Sequence, residues 1–123
     1  MKWIQHTPMP EPKVKDIRIL RAISLVNSKF NRDFDFNALA ETLNPSPSRL
    51  RHLFKVETGM SFKKYLRLVR MIQARHLLES SLLSVNEIAE RVGISDNSHF
   101  VRDFEKQYGL SPVKYRKKRL SGK

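Results

Sequence analysis

An internal repeat constrains this chain more than any other feature. Phe36, Leu39, Ala40 and Leu43 recur as Val85, Ile88, Ala89 and Val92 at an offset of 49. After one residue is gained in the second turn, Leu50, Phe54, Gly59, Ser61 and Tyr65 recur as Phe100, Phe104, Gly109, Ser111 and Tyr115 at an offset of 50. Apolar coincidences are common, but matched Ala, Gly, Ser and Tyr at one register mark a duplicated unit. Each copy reads as a short helix, a tight turn and a longer helix. A small residue (Ala40, Ala89) four positions before the turn residue (Asn44, Gly93) lets the two helices approach closely, and the turn residue must tolerate a left-handed backbone.

Local signals place the helices. Residues Met1 to Val14 hold Pro8, Pro10 and Pro12 without periodicity and read as an extended arm or a linker end. A first helix is expected from about Lys15 to Phe30, with Ile19, Ala22, Ile23, Val26 and Phe30 as its apolar stripe. Asp35 caps a short second helix bearing Phe36, Leu39, Ala40 and Leu43, and Pro45 forces that helix to stop by Leu43. Ser46 and Pro47 start a third helix, which buries Leu50, Leu53 and Phe54 and ends at Gly59. Ser61 opens a long amphipathic helix to Ser80, with Phe62, Tyr65, Leu66, Val69, Ile72 and Leu77 inward. Ser84 and Glu87 form a capping box for a fifth helix, and a sixth begins near Ser95 or Asp96 and buries Phe100, Phe104 and Tyr108. Ser111 and Pro112 start a last one containing Tyr115. The domain plan is an arm (1–14), a first helix plus first helix-turn-helix (15–60), a linker helix (61–80), a second helix-turn-helix (81–119) and a basic tail (120–123).

Charge narrows the function. The net charge is +12, and the excess is clustered: eight Lys and Arg face only Glu57 between Pro45 and Leu78, and six face no acid between Pro112 and Lys123. Clustering of one sign favours a polyanion partner, since each neutralised phosphate releases counterions. The competing reading is a solvated basic surface that serves solubility. Cysteine is absent, which excludes disulfides, thiolate metal sites and cysteine nucleophiles. His6, His52, His76 and His99 are scattered, and neither a metal-ligand spacing nor a Gly-rich phosphate loop occurs. An enzyme, a metal site and a cofactor are therefore not expected. With no signal peptide and no apolar run of membrane-spanning length, a cytoplasmic, nucleoid-associated protein without membrane contact is expected.

From Lys15 to Arg119 the chain resembles the DNA-binding domain of the AraC/XylS family of bacterial transcription regulators. The runs that carry the resemblance are LNPSPSRLRHLFKVETGMSFKKYL, RMIQARHLL and SVNEIAERVGISDNSHFVRDFEKQYGLSPVKYR. It implies an all-α, seven-helix domain of two homeodomain-like helix-turn-helix subdomains in tandem, joined by one long helix. It also implies sequence-specific binding of double-stranded promoter DNA, with one recognition helix from each subdomain in successive major grooves and RNA polymerase as a candidate second partner. A helix of this length spans roughly 30 Å at about 1.5 Å per residue, close to the ~34 Å between successive grooves. The long helix is thus expected to be a spacer rather than a reader. One departure from the family pattern is Pro45, where an apolar residue is commoner. Another is the short arm, which leaves any dimerisation or effector-sensing domain outside this chain; the expectation is either a stand-alone member or, as the proline-bearing arm favours, the C-terminal domain of a larger regulator, with this domain monomeric.

Base readers are expected near the start of each recognition helix: Ser48, Arg51 and His52 in the first, Asn97, Ser98, Val101 and Arg102 in the second. Arg51 suits guanine through its forked donors, Asn97 suits adenine, and Val101 suits a thymine methyl. Arg49, Lys55, Lys63, Lys64, Lys106 and Lys114 are expected at phosphates, together with the helix starts at Ser46, Ser95 and Ser111. Asp96 is expected to cap, His99 to pack, and Arg70 either to touch phosphate or to form an ion pair. The Phe and Leu stripe is expected to be core and not a ligand box. The alternative to a regulator is a nonspecific nucleoid or RNA-binding basic protein.

Overall fold

Capping chemistry sets the helix boundaries. The computed structural model describes residues 14–121, so the expected arm, apart from Val14, and the end of the basic tail lie outside the described residues. Seven helices and no strand occur among them: α1 (Ile17–Lys29), α2 (Phe36–Leu43), α3 (Pro47–Thr58), α4 (Phe62–Ser80), α5 (Val85–Arg91), α6 (Asn97–Tyr108) and α7 (Pro112–Ser121). The chain divides into two compact units, Met1–Val69 and Arg70–Lys123.

In the first unit, α1 starts two residues later than expected because Asp16 is its cap, accepting the Arg18 amide at 2.9 Å. The Arg18 side chain bonds the same carboxylate, and these bonds hold Asp16 down at about 2. Glu57, the lone acid of the basic stretch, accepts the Lys15 and Asp16 amides at 2.8 and 2.9 Å and so ties the start of α1 to the end of α3. Ile19, Ala22 and Val26 are the buried stripe of α1; Ile23 and Phe30, expected beside them, are only half-buried. Asp35 accepts the Asn37 and Ala38 amides to start α2. Asn44 then leaves α2 with φ at 76°, because proline at position 45 bars a right-handed continuation and asparagine tolerates the left-handed region. Ser46 caps α3 with Pro47 in its first turn, and Gly59 closes it at φ 81°. The core joins α1, α2 and α3 to Phe62, Tyr65 and Val69 of α4. At its centre Phe54 meets Phe62 at 5.3 Å and Tyr65 at 5.5 Å, both edge to face, an arrangement that adds specificity to bulk apolar burial.

The second unit repeats the plan. Both halves of the expected capping box form: Ser84 N–H donates to Glu87 Oε1 at 2.8 Å, and Glu87 N–H donates to Ser84 Oγ at 3.1 Å. Gly93, at φ 91°, is the counterpart of Asn44. The turn after it is one residue longer than the first, so the α6 cap is Asp96, which accepts the His99 amide at 3.1 Å. Ala40 and Ala89 are both buried where paired helices approach. Ile88, Ala89, Val92, Phe100 and Phe104 form the apolar interior of α5 and α6. Along α4, Met71, Ile72, Ala74 and Leu78 are the buried residues of this half; Leu77, expected inward, is half-buried because the stripe runs through Ala74 to Leu78 at helical spacing. Tyr108, also expected to be buried, is half-buried. Leu120 and Ser121, expected in the tail, continue α7.

Candidate nucleic-acid interface

The α3 surface carries one continuous polar face. Ser48, Arg51, His52 and Lys55 follow the i, i+3, i+4, i+7 spacing of a single face, and all four are exposed, while Leu50 and Phe54 on the other side are buried. Arg49 is exposed on the flank. Arg51 is further constrained: its guanidinium carbon lies 4.8 Å from the centre of the Phe36 ring of α2. Stacking on an aromatic face leaves the edge donors of a guanidinium free while reducing the conformations it samples. Phe36, read from the sequence as core, is half-buried and serves as this platform.

The corresponding face of α6 presents Asn97, Ser98 and Arg102, all exposed, with Val101 half-buried beside them. Lys106 is exposed further along. His99 corrects the expectation of a packing residue: its side chain is exposed, and only its backbone is fixed, by the Asp96 cap. The helix-start position offered to Ser95 belongs to Asp96, and Ser95 lies exposed just before it. The start of α6 therefore already carries a carboxylate, whereas Ser46 and Ser111 cap α3 and α7 with neutral hydroxyls, accepting the Arg49 and Lys114 amides at 3.2 and 3.3 Å.

Cations sit where helix electrostatics alone would not put them. Arg49 in α3, Lys63 and Lys64 in α4, and Lys114 in α7 occupy first turns that contain no acid. A cation at the positive end of a helix dipole costs stability, typically about 0.3–1 kcal/mol. By contrast, α5 has Glu87 in its first turn, where its hydrogen bonds with the Ser84 backbone and side chain lower its pKa. Lys63, Lys64 and Lys114 are exposed and make no ion pair among the described residues.

Two of the C-terminal cations have structural work that sequence reasoning missed. Arg116 donates to the Leu78 and Ser81 carbonyls, each at 3.2 Å, which anchors α7 to the end of α4. Glu79 accepts the Tyr115 hydroxyl and pairs with Arg75 at 3.8 Å and Arg119 at 3.7 Å. Burial, with Glu79 next in effect, pushes the Tyr115 pKa up to about 12. Arg70 is half-buried rather than displayed on the surface. No cluster of His, Asp or Glu suited to a metal occurs among the described residues, and none of their helices is long and apolar enough to cross a membrane.

Known proteins share this arrangement. The profile of a helix-turn-helix domain matches residues 39–118. The Msm operon regulatory protein of Streptococcus mutans is 38% identical over 93 residues, 76% of this chain and 34% of that protein. The C-terminal domain of AraT, a response regulator from Geobacillus stearothermophilus, superposes with a TM-score of 0.80 at 38% identity, covering 85% of this chain and 87% of that one. The DNA-binding domain of AdpA, a global transcriptional factor solved with a target DNA, gives a TM-score of 0.77 at 29% identity, covering 81% and 90%. The chain spans about a third of the length of the curated relatives it matches. On the repeat, the paired turns and these likenesses, the chain belongs to the AraC-type helix-turn-helix domain family.

Proposed function

We propose that this chain binds double-stranded promoter DNA sequence-specifically and thereby regulates transcription, with α3 and α6 each reading a major groove, in successive turns of the duplex. The observation that carries the reading is the pairing of an exposed polar recognition face on α3 with unpaired lysines at the starts of α4 and α7, where they oppose the helix dipole. Such lysines cost stability unless an anion arrives, and a phosphate chain supplies anions at regular spacing. Ser48, Arg51, His52, Asn97, Ser98, Val101 and Arg102 are the proposed base contacts. Ser46, Arg49, Lys55, Lys63, Lys64, Ser95, Lys106 and Lys114 are the proposed backbone contacts. The unbroken α4 supports its role as a spacer between the readers. The domain acts as a cytoplasmic, nucleoid-associated monomer, and RNA polymerase is the further partner a promoter-bound regulator would touch.

Selection of bound duplexes from a random pool, followed by footprinting, tests the reading. A recovered consensus should be bound about a thousandfold or more tighter than random duplex, with protection over two adjacent major grooves per monomer. Equal affinity for all duplexes would reduce the protein to a nonspecific basic binder.

A further inference from the structure

The aromatic stripe of the first unit does not close completely. Phe34, Phe36 and Phe62 line a pocket of about 640 Å³ that also takes Arg51, Lys55 and Lys63 into its wall and contains no acid. Phe62 is buried and the other two rings are half-buried, whereas all three cations are exposed. The apolar rings therefore form the floor and the cations the rim. The rings meet edge to face: Phe34 and Phe62 at 5.7 Å and 75°, Phe36 and Phe62 at 5.2 Å and 60°.

We propose that this pocket binds a small aryl carboxylate. Its volume lies within the roughly 300–1,000 Å³ of small-molecule sites. Ring edges carry partial positive charge and accept the face of another aromatic ring, so an aryl body suits this floor. Arg51, already stacked over Phe36, offers a planar fork that matches a carboxylate, and Lys55 and Lys63 supply the remaining positive field. A phosphodiester would satisfy the rim but leave the rings without a partner. The ligand class is thus set by both halves of the pocket together. If α3 reads DNA as proposed above, a bound acid occupies Arg51 and neutralises Lys55 and Lys63, so acid and duplex bind antagonistically. That consequence rests on the DNA reading; occupancy of the pocket does not.

The test is a titration of the whole chain without DNA, followed by backbone amide resonances, with 2-naphthoate and its neutral analogue 2-naphthamide. The acid should give saturable shifts confined to residues around Phe34, Phe36 and Phe62, and the amide should bind about tenfold more weakly. Lys63→Gln, an exposed change that spares the core, should weaken the acid by about threefold or more and leave the amide unchanged. Absence of saturation at millimolar acid, equal binding of acid and amide, or shifts spread over the lysines of α6 and α7 would overturn the site. So would displacement of naphthoate by a short acidic peptide that binds more tightly than any aryl acid. A second titration, of a selected duplex with and without saturating acid, should show about a fivefold or greater loss of DNA affinity. Unchanged affinity would remove the antagonism while the amide shifts decide the site, and a protein without sequence preference would sink the DNA reading alone.

Discussion

Arg51 is held in place before any partner arrives. Its guanidinium stacks 4.8 Å from the Phe36 ring centre, so part of the entropy cost of presenting a rigid fork is met within the fold. We predict that Arg51→Ala lowers affinity for a selected site by about 1–3 kcal/mol, with a much smaller loss on random duplex. Arg51→Lys should recover the nonspecific part only, because an ammonium lacks the planar fork. Anisotropy titrations on both duplexes distinguish these outcomes, and equal losses would make Arg51 a phosphate contact. A second residue-scale prediction concerns Tyr115. Its ordinary pKa of 10 rises to about 12, so the folded state holds the phenolic proton more tightly than the unfolded chain does. The resulting stability is complete below pH 10 and is lost as pH rises from there through about 12. Tyr115→Phe should cost about 1 kcal/mol near neutrality, through the lost bond to Glu79. It should also flatten this part of the alkaline decline in urea-unfolding free energy; an unchanged alkaline slope would mean that other groups produce it.

The two turns of the elements differ in chemistry but not in conformation. Asn44 and Gly93 both stand in the left-handed region, at φ 76° and 91°. A side chain branched at Cβ is strained there, so Asn44→Val should destabilise the first unit by about 1–2 kcal/mol, whereas Asn44→Gly should stay within about 0.5 kcal/mol of the parent. Urea unfolding measures both, and equal effects would remove the backbone explanation. These turns, and the caps at Asp35, Ser46, Ser61, Ser84 and Ser111, were legible in the sequence because each acts on groups within a few residues. The repeat made them more legible, since each signal occurred twice. What stayed hidden depends on partners brought together by the chain path. Glu57 serves amides 41 and 42 residues away, and Tyr115 finds Glu79 across 36. No local pattern announces either pairing. Phe36 escaped for another reason: helical spacing marks it as inward, yet it lies at the margin of the core, where a ring can be half-buried and still serve a cation. Phe34 lay in a segment without periodicity, so nothing marked it as a wall of the pocket. The C-terminal charge run hid a division of labour, with Arg116 and Arg119 engaged in structure and Lys114 displayed.

At the scale of the whole molecule, a net charge of +12 must be balanced by something outside the chain. That figure already counts every acid, and several of them are engaged within the fold: Asp16 with Arg18, Glu57 with backbone amides, Glu79 with Tyr115, Arg75 and Arg119. Lys63 and Lys64 remain unpaired at the start of α4, and the field there is already positive. Neutralising them should slightly stabilise the free protein while weakening its complexes, a combination that a solubility role does not produce. We predict that the double variant Lys63→Ala, Lys64→Ala lowers affinity for selected and random duplex by the same factor. The slope of log K against log salt should become shallower by roughly two, since each lost phosphate contact removes about 0.9. Its melting temperature should not fall, because both side chains are exposed and both oppose the dipole. Affinities measured from low to moderate salt, with a thermal melt of each protein, decide the matter. An unaltered slope would place these lysines away from the duplex, and a loss confined to the selected site would make them readers of sequence instead of backbone clamps.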